Sequence, residues 1–167
     1  MPHTRFLLFF LVACAWAESN IPVTACSSIT QEQVQNALGR TVGKGVETNG
    51  PAQSECDFRG PNGLVTITLH RLAEPVLLDR QQADLRAAFP GASFQPLTLE
   101  ASRGFAMILP EAGIQLHLPA EPRQYLIVTV LGFGSGATTR TAAEWIAKAV
   151  LARIAAPLGR ATRDVSE

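Results

Sequence analysis

Histidine, cysteine and net charge are scarce in this chain: three histidines and three cysteines in 167 residues, and 14 basic side chains balanced by 14 acidic ones. Balanced charge leaves no electrostatic footprint for nucleic acid or for an anionic lipid surface. Beyond residue 13 no apolar run approaches the roughly 20 residues that a membrane-crossing helix needs. The best stretch, Tyr125 to Leu131, is interrupted by Thr129 and followed by glycines. Internal repeats, low-complexity tracts and linkers are also lacking, which points to one domain with a real core.

What the chain does have begins at its N-terminus. Met1 to Arg5 carries one basic side chain and Phe6 to Ala13 is an unbroken apolar run, the pattern of a secretory signal peptide. Two cuts compete in "LVACAWAES". Leu11 to Cys14 fits a lipobox and would place a lipid on Cys14. Ala15 and Ala17 put small side chains at both positions a signal peptidase requires, and leave a chain starting at Glu18. We favour the second cut, giving a signal peptide over 1–17, a single domain over 18–159 and a polar tail over 160–167. The protein is then periplasmic or secreted, and its only route to a membrane anchor is a lipid on Cys14.

Cys26 and Cys56 are the pair left beyond the leader. In an exported protein an isolated pair points to a disulfide. A redox or metal pair is the competing reading, disfavoured because the spacing is far from Cys-x-x-Cys and no histidine is near in sequence.

"SSITQEQVQNALGR" reads as a helix, with Thr30 as cap, Gln33 completing a capping box, Ile29 stapled onto Val34, and Gly39 as the stop. "ECDFRGPNGLVTITLHRL" reads as two strands around the turn Gly60 to Gly63, with Val65, Ile67 and Leu69 on one face and Thr66, Thr68 and His70 on the other. A second helix starts at Pro75 and stops at Pro90-Gly91, with Leu78, Leu85 and Phe89 on one side. Short strands then follow in "FQPLTL", "GFAMIL", "IQLHL" and "QYLIVTVLGF", the last three separated by turns at "PEAG" and "PAEP", and the final strand is apolar on both faces and so central or covered. The closing helix lies in "TTRTAAEWIAKAVLARIAAPLG", with Thr141 and Glu144 as its capping box and Ile146, Val150 and Ile154 facing the core. The expected fold is α+β, order αββαβββα: an antiparallel sheet of five to six strands against three helices, with one disulfide.

"ACSSITQEQVQNALGRTVG", followed by the cysteine of "ECDF" and the strand "VTITL", resembles a family of uncharacterised exported bacterial domains, often lipoproteins. These open with Cys-Ser-Leu-Leu-Thr-x-x-Glu-Val and end the first helix at Ala-Leu-Gly. This chain has Ser28-Ile29 in place of the leucines and Gln33 in place of the glutamate, and it offers only "EASRGFAM" where a Gly-Leu-Gly-Asp-like segment often stands. The resemblance implies a disulfide-tied α+β domain, loosely like PsbP-type folds, and no established activity.

Chemistry is harder to find. In "TVLGFGSGATTR", Gly132, Gly134 and Ala137 satisfy a loose dinucleotide fingerprint, but no acidic residue or following strand completes the unit. A turn whose glycines accept unusual backbone angles is the simpler reading. Ser135 fails as a nucleophile elbow because Phe133 and Ala137 stand where glycines belong.

His70 and His117, the histidines beyond the leader, fall on the polar sides of their strands by alternation and can simply be solvated. If their strands were adjacent, with Asp57 or Glu111 nearby, they would form a small metal site or a pH-sensitive pair. The carboxylates Asp57, Glu74, Glu100, Glu111 and Glu121 fall mostly in turns. Trp145 and Phe133 can line a pocket between the last helix and the sheet, although core packing is the simpler role.

The sequence therefore leads us to expect a non-catalytic envelope domain with no cofactor and no nucleic acid. It would bind a small ligand or an envelope protein at the open sheet face or beside the turn carrying Gly132, Gly134 and Gly136. A hydrolase or metal enzyme using His70 or His117 is the alternative, and a purely structural envelope protein a third.

Overall fold

The computed structural model describes residues 23–121 and 123–156. The leader, Cys14, the two candidate cuts and the tail over 160–167 lie outside the described residues.

Helix α1 (Gln31–Leu38) has the end signals its sequence announces. The Thr30 hydroxyl accepts from the Gln33 N–H, the Gln33 side chain accepts from the Thr30 N–H, and Gly39 closes the helix in the left-handed conformation at φ 62°. Ile29 and Val34, the staple pair, are both buried.

Then come β1 (Val46–Asn49), β2 (Gln53–Arg59) and β3 (Leu64–Arg71), helix α2 (Leu78–Ala88), and β4 (Ser93–Leu99), β5 (Ser102–Leu109), β6 (Gly113–Glu121) and β7 (Gln124–Leu131). Helix α3 (Ala137–Ala155) ends the fold. The strands form one seven-stranded sheet in the order β1-β2-β3-β7-β6-β5-β4, with every neighbouring pair antiparallel. Two meanders, β1 to β3 and β4 to β7, are thus sealed by the pairing of β3 with β7. The last strand, apolar on both faces, sits in the middle as its composition requires.

The element order is αβββαββββα, so the sheet has seven strands where five to six are expected. The added strand is β1, whose four residues are all exposed. It therefore shows none of the apolar alternation that betrays a strand. Helix α2 starts at Leu78 and not at Pro75, with no side-chain cap at Leu77. Strand β6 runs on through Pro119 to Glu121 with a register shift there, where a turn over "PAEP" is expected; Pro122 lies outside the described residues. Pro96 is tolerated in β4 because that strand is an edge and one of its sides needs no ladder donor.

One sheet face carries Cys56 and Phe58, Val65 and Ile67, Leu126 and Val128, and Leu116 and Leu118, all within the main core. Helix α3 packs on this face across β6 and β7, and α1 packs against α3. Ile146, Val150 and Ile154 point into this core as the helical spacing predicts. Cys26 and Cys56 form a disulfide with their Cα atoms 5.0 Å apart, tying the segment that leads into α1 to β2. Beside it the Glu47 carboxylate accepts from the Cys26 N–H at 3.4 Å and the Ser54 hydroxyl at 3.2 Å. Hydrogen bonding, foremost from the Thr24 hydroxyl, holds this carboxyl below its ordinary pKa.

Candidate functional site

Where α1 meets the start of α3, the helices diverge around a groove of about 560 Å³. Small side chains make this opening: Ala37 on α1 and Ala142 on α3 leave a shallow floor, and the indole of Trp145 forms a wall. Trp145 is 43% exposed. Core packing, the simpler expectation for this residue, is therefore incorrect. Its neighbour Ile146 takes the inward position and turns the indole out along the α1 side. The Asn36 amide and the Thr138 and Thr141 hydroxyls supply the polar rim.

A second cleft of about 310 Å³ continues from the first, sharing Thr138 and Ala142 and adding Arg40, Phe133 and Gly136. The Arg40 guanidinium stands 5.9 Å from the centre of the Phe133 ring, a weak cation–π contact at an exposed position. The groove thus runs beside the glycine-rich turn singled out in the sequence.

The turn's glycines have different jobs. Gly132 has φ 79°, and a Cβ there would stand 2.1 Å from the Asn62 carbonyl oxygen, so it lets the turn lie against the β2–β3 hairpin. Gly134, at φ 81°, faces open space. Gly136 is the N-cap of α3. Of the three, Gly136 alone lines the cleft; Gly132 is spoken for by packing. The Thr139 hydroxyl donates to the Phe133 carbonyl at 2.9 Å and pins the turn to α3. Helix α3 begins at Ala137, four residues before the expected cap. Thr141 accordingly donates to the Ala137 carbonyl inside the helix, and Glu144 pairs with Arg140 at 2.8 Å; neither caps.

The histidines lie on the other sheet face. Strand β7 separates β3 from β6, so His70 and His117 are not on adjacent strands. Asp57 is engaged with Thr66 at 2.7 Å and Arg59 at 2.9 Å. Glu111 occupies the β5–β6 turn at φ 61°. Among the described residues no three metal-ligating side chains converge.

His117 is not solvated: it is 1% exposed and stacks on Phe105 with ring centres 4.6 Å apart. Gln115 donates from its amide to the Thr129 hydroxyl at 2.8 Å, so its carbonyl oxygen faces the imidazole and accepts from Nε2 at 2.7 Å. Nδ1 then accepts from the Tyr125 hydroxyl at 3.1 Å. Burial, with His70 nearby adding to it, lowers the His117 pKa to about 4, and burial raises that of Tyr125. His70 is also lowered by burial, partly countered by Glu55. The result is a satisfied neutral chain of side chains, Thr129–Gln115–His117–Tyr125, buried at His117 and Tyr125 and half-buried at Gln115 and Thr129. Alternation placed both histidines on the correct face; it had no way to show that Phe105 and Tyr125 would help bury one of them.

No protein-family model matches the chain, and no curated protein matches it.

Proposed function

We propose that this is an exported, non-catalytic binding domain of the cell envelope that takes a small ligand in the groove between α1 and α3. The observation that carries the reading is Trp145, a large aromatic side chain left exposed on the wall of a groove floored by alanines. Large apolar side chains at such positions mark contact sites. Export is supported by the Cys26–Cys56 disulfide, a bond that persists in oxidising compartments, and by the signal-like leader. The resemblance to exported bacterial domains with the same cysteine pair points the same way. Catalysis by His117 is disfavoured because both ring nitrogens are occupied within the protein and the side chain is 1% exposed.

The test is a ligand screen by thermal shift on the whole chain, repeated with Trp145→Ala. A ligand that raises the melting temperature of the native chain and not of the variant supports the reading. Ligands that stabilise both equally would move the site elsewhere.

A further inference from the structure

We propose that the groove ligand is a neutral saccharide, with one pyranose ring laid on the Trp145 indole. This inference rests on the groove being the binding site. The α1–α3 groove itself is lined by no charged side chain, and the Arg40 guanidinium of the adjoining cleft stands over the Phe133 ring. A charged ligand would give up hydration there without a counter-charge. A purely apolar ligand fits the indole and the alanine floor, but would cover the Asn36 amide and the Thr138 hydroxyl. Among the described residues neither makes a side-chain hydrogen bond, so an apolar ligand would bury both without a partner.

A pyranose answers both surfaces. Its axial C–H groups carry slight positive charge and sit well on the electron-rich face of an indole. Its ring hydroxyls, which donate and accept, reach the amide and hydroxyl at the rim. Thr141 is already committed as donor to Ala137 and offers the ligand only an acceptor. Asn36, on the outer side of α1, supplies two donors and one acceptor from a single position, the group expected to discriminate between sugars.

The experiment uses the chain with Trp16→Phe, which makes Trp145 the one tryptophan, so that its emission reports the groove alone. Cellohexaose, maltohexaose and hexa-N-acetylchitohexaose are titrated, then the neutral apolar probe N-phenyl-1-naphthylamine. We expect a saturable blue shift with at least one saccharide, weakened roughly tenfold by Asn36→Ala, the equivalent of one lost hydrogen bond. Thr98→Ala, on the far edge of the sheet, leaves it unchanged. By calorimetry Trp145→Phe retains weakened binding and Trp145→Ala loses it, which separates ring stacking from a folding defect. A response to the naphthylamine with none to the saccharides overturns the saccharide and leaves the groove reading standing. No response to either overturns both.

Discussion

His117 and Tyr125 meet on β6 and β7 with Nδ1 and Oη 3.1 Å apart, in a place so buried that the imidazole stays neutral, His70 nearby adding to the effect. Its pKa falls from 6.5 to about 4, which at roughly 1.4 kcal/mol per unit corresponds to about 3 kcal/mol of linkage. Between those two values the unfolded chain takes up a proton that the folded chain refuses. Stability is therefore full above pH 6.5 and falls as pH is lowered towards 4. Urea denaturation across pH 4 to 8 should show this slope, and His117→Gln should remove most of it, leaving a smaller part of the same sign from His70. A variant with the native slope would show that the acid sensitivity arises elsewhere.

The disulfide should act through the unfolded state. Closing a loop between cysteines 30 residues apart is worth roughly 3 to 4 kcal/mol in the chain-entropy model. Cys26→Ser with Cys56→Ser should lower the unfolding free energy by about that amount without changing the circular dichroism spectrum of the folded form. A loss below about 1 kcal/mol would mean that the α1 leader is held by its other contacts, such as the Ala25 N–H to Ser54 hydroxyl bond at 2.9 Å.

The turn glycines separate sterics from backbone preference. Gly132→Ala must push against the Asn62 carbonyl and should cost more than about 3 kcal/mol, enough to displace the hairpin. Gly134→Ala meets nothing and should cost only about 1–2 kcal/mol for its left-handed conformation. Gly136→Ser gives α3 the side-chain cap it lacks and should gain a few tenths of a kcal/mol. Thermal melts of the three variants should rank in that order. Equal losses at Gly132 and Gly134 would contradict the close packing described.

Neighbouring residues on α3 should behave in opposite ways. Ile146→Ala removes a fully buried side chain and should cost about 2–5 kcal/mol. Trp145→Ala, larger in volume, should cost less, about 1–2 kcal/mol, because 43% of the residue is in solvent. Comparable losses in urea unfolding would show that Trp145 is a packing residue and would remove the basis for the binding groove.

Much of this architecture was legible in the residues themselves. Thr30, Gln33 and Gly39 declare both ends of α1, Gly60-Pro61-Asn62-Gly63 declares a hairpin, and Tyr125 to Leu131, apolar on both faces, declares a central strand. These signals are local and have one physical meaning each. β1 was silent because VETN is exposed throughout and forms only by pairing with β2. Pro119 suggested a turn, yet a strand absorbs it at an irregular position beside the β6–β7 turn. The groove was half legible: the glycine turn and Trp145 were both singled out, but which face of α3 met α1 depended on packing distant in sequence. The enclosure of His117 was equally hidden, since it is made by Phe105 and Tyr125 from neighbouring strands.

The pairing of β3 with β7 also governs when the molecule can come into being. These two strands are separated in sequence by α2 and by β4 to β6, so the sheet stays in two pieces and β3 presents a bare edge until residues 124–131 arrive. Such distant pairing slows folding and leaves an open template for intermolecular strand addition in the meantime. If the chain crosses a membrane in extended form, it stays in that unfinished state until Leu131 has emerged. A truncation ending before Gln124 should accordingly yield aggregates with no protected core in hydrogen exchange.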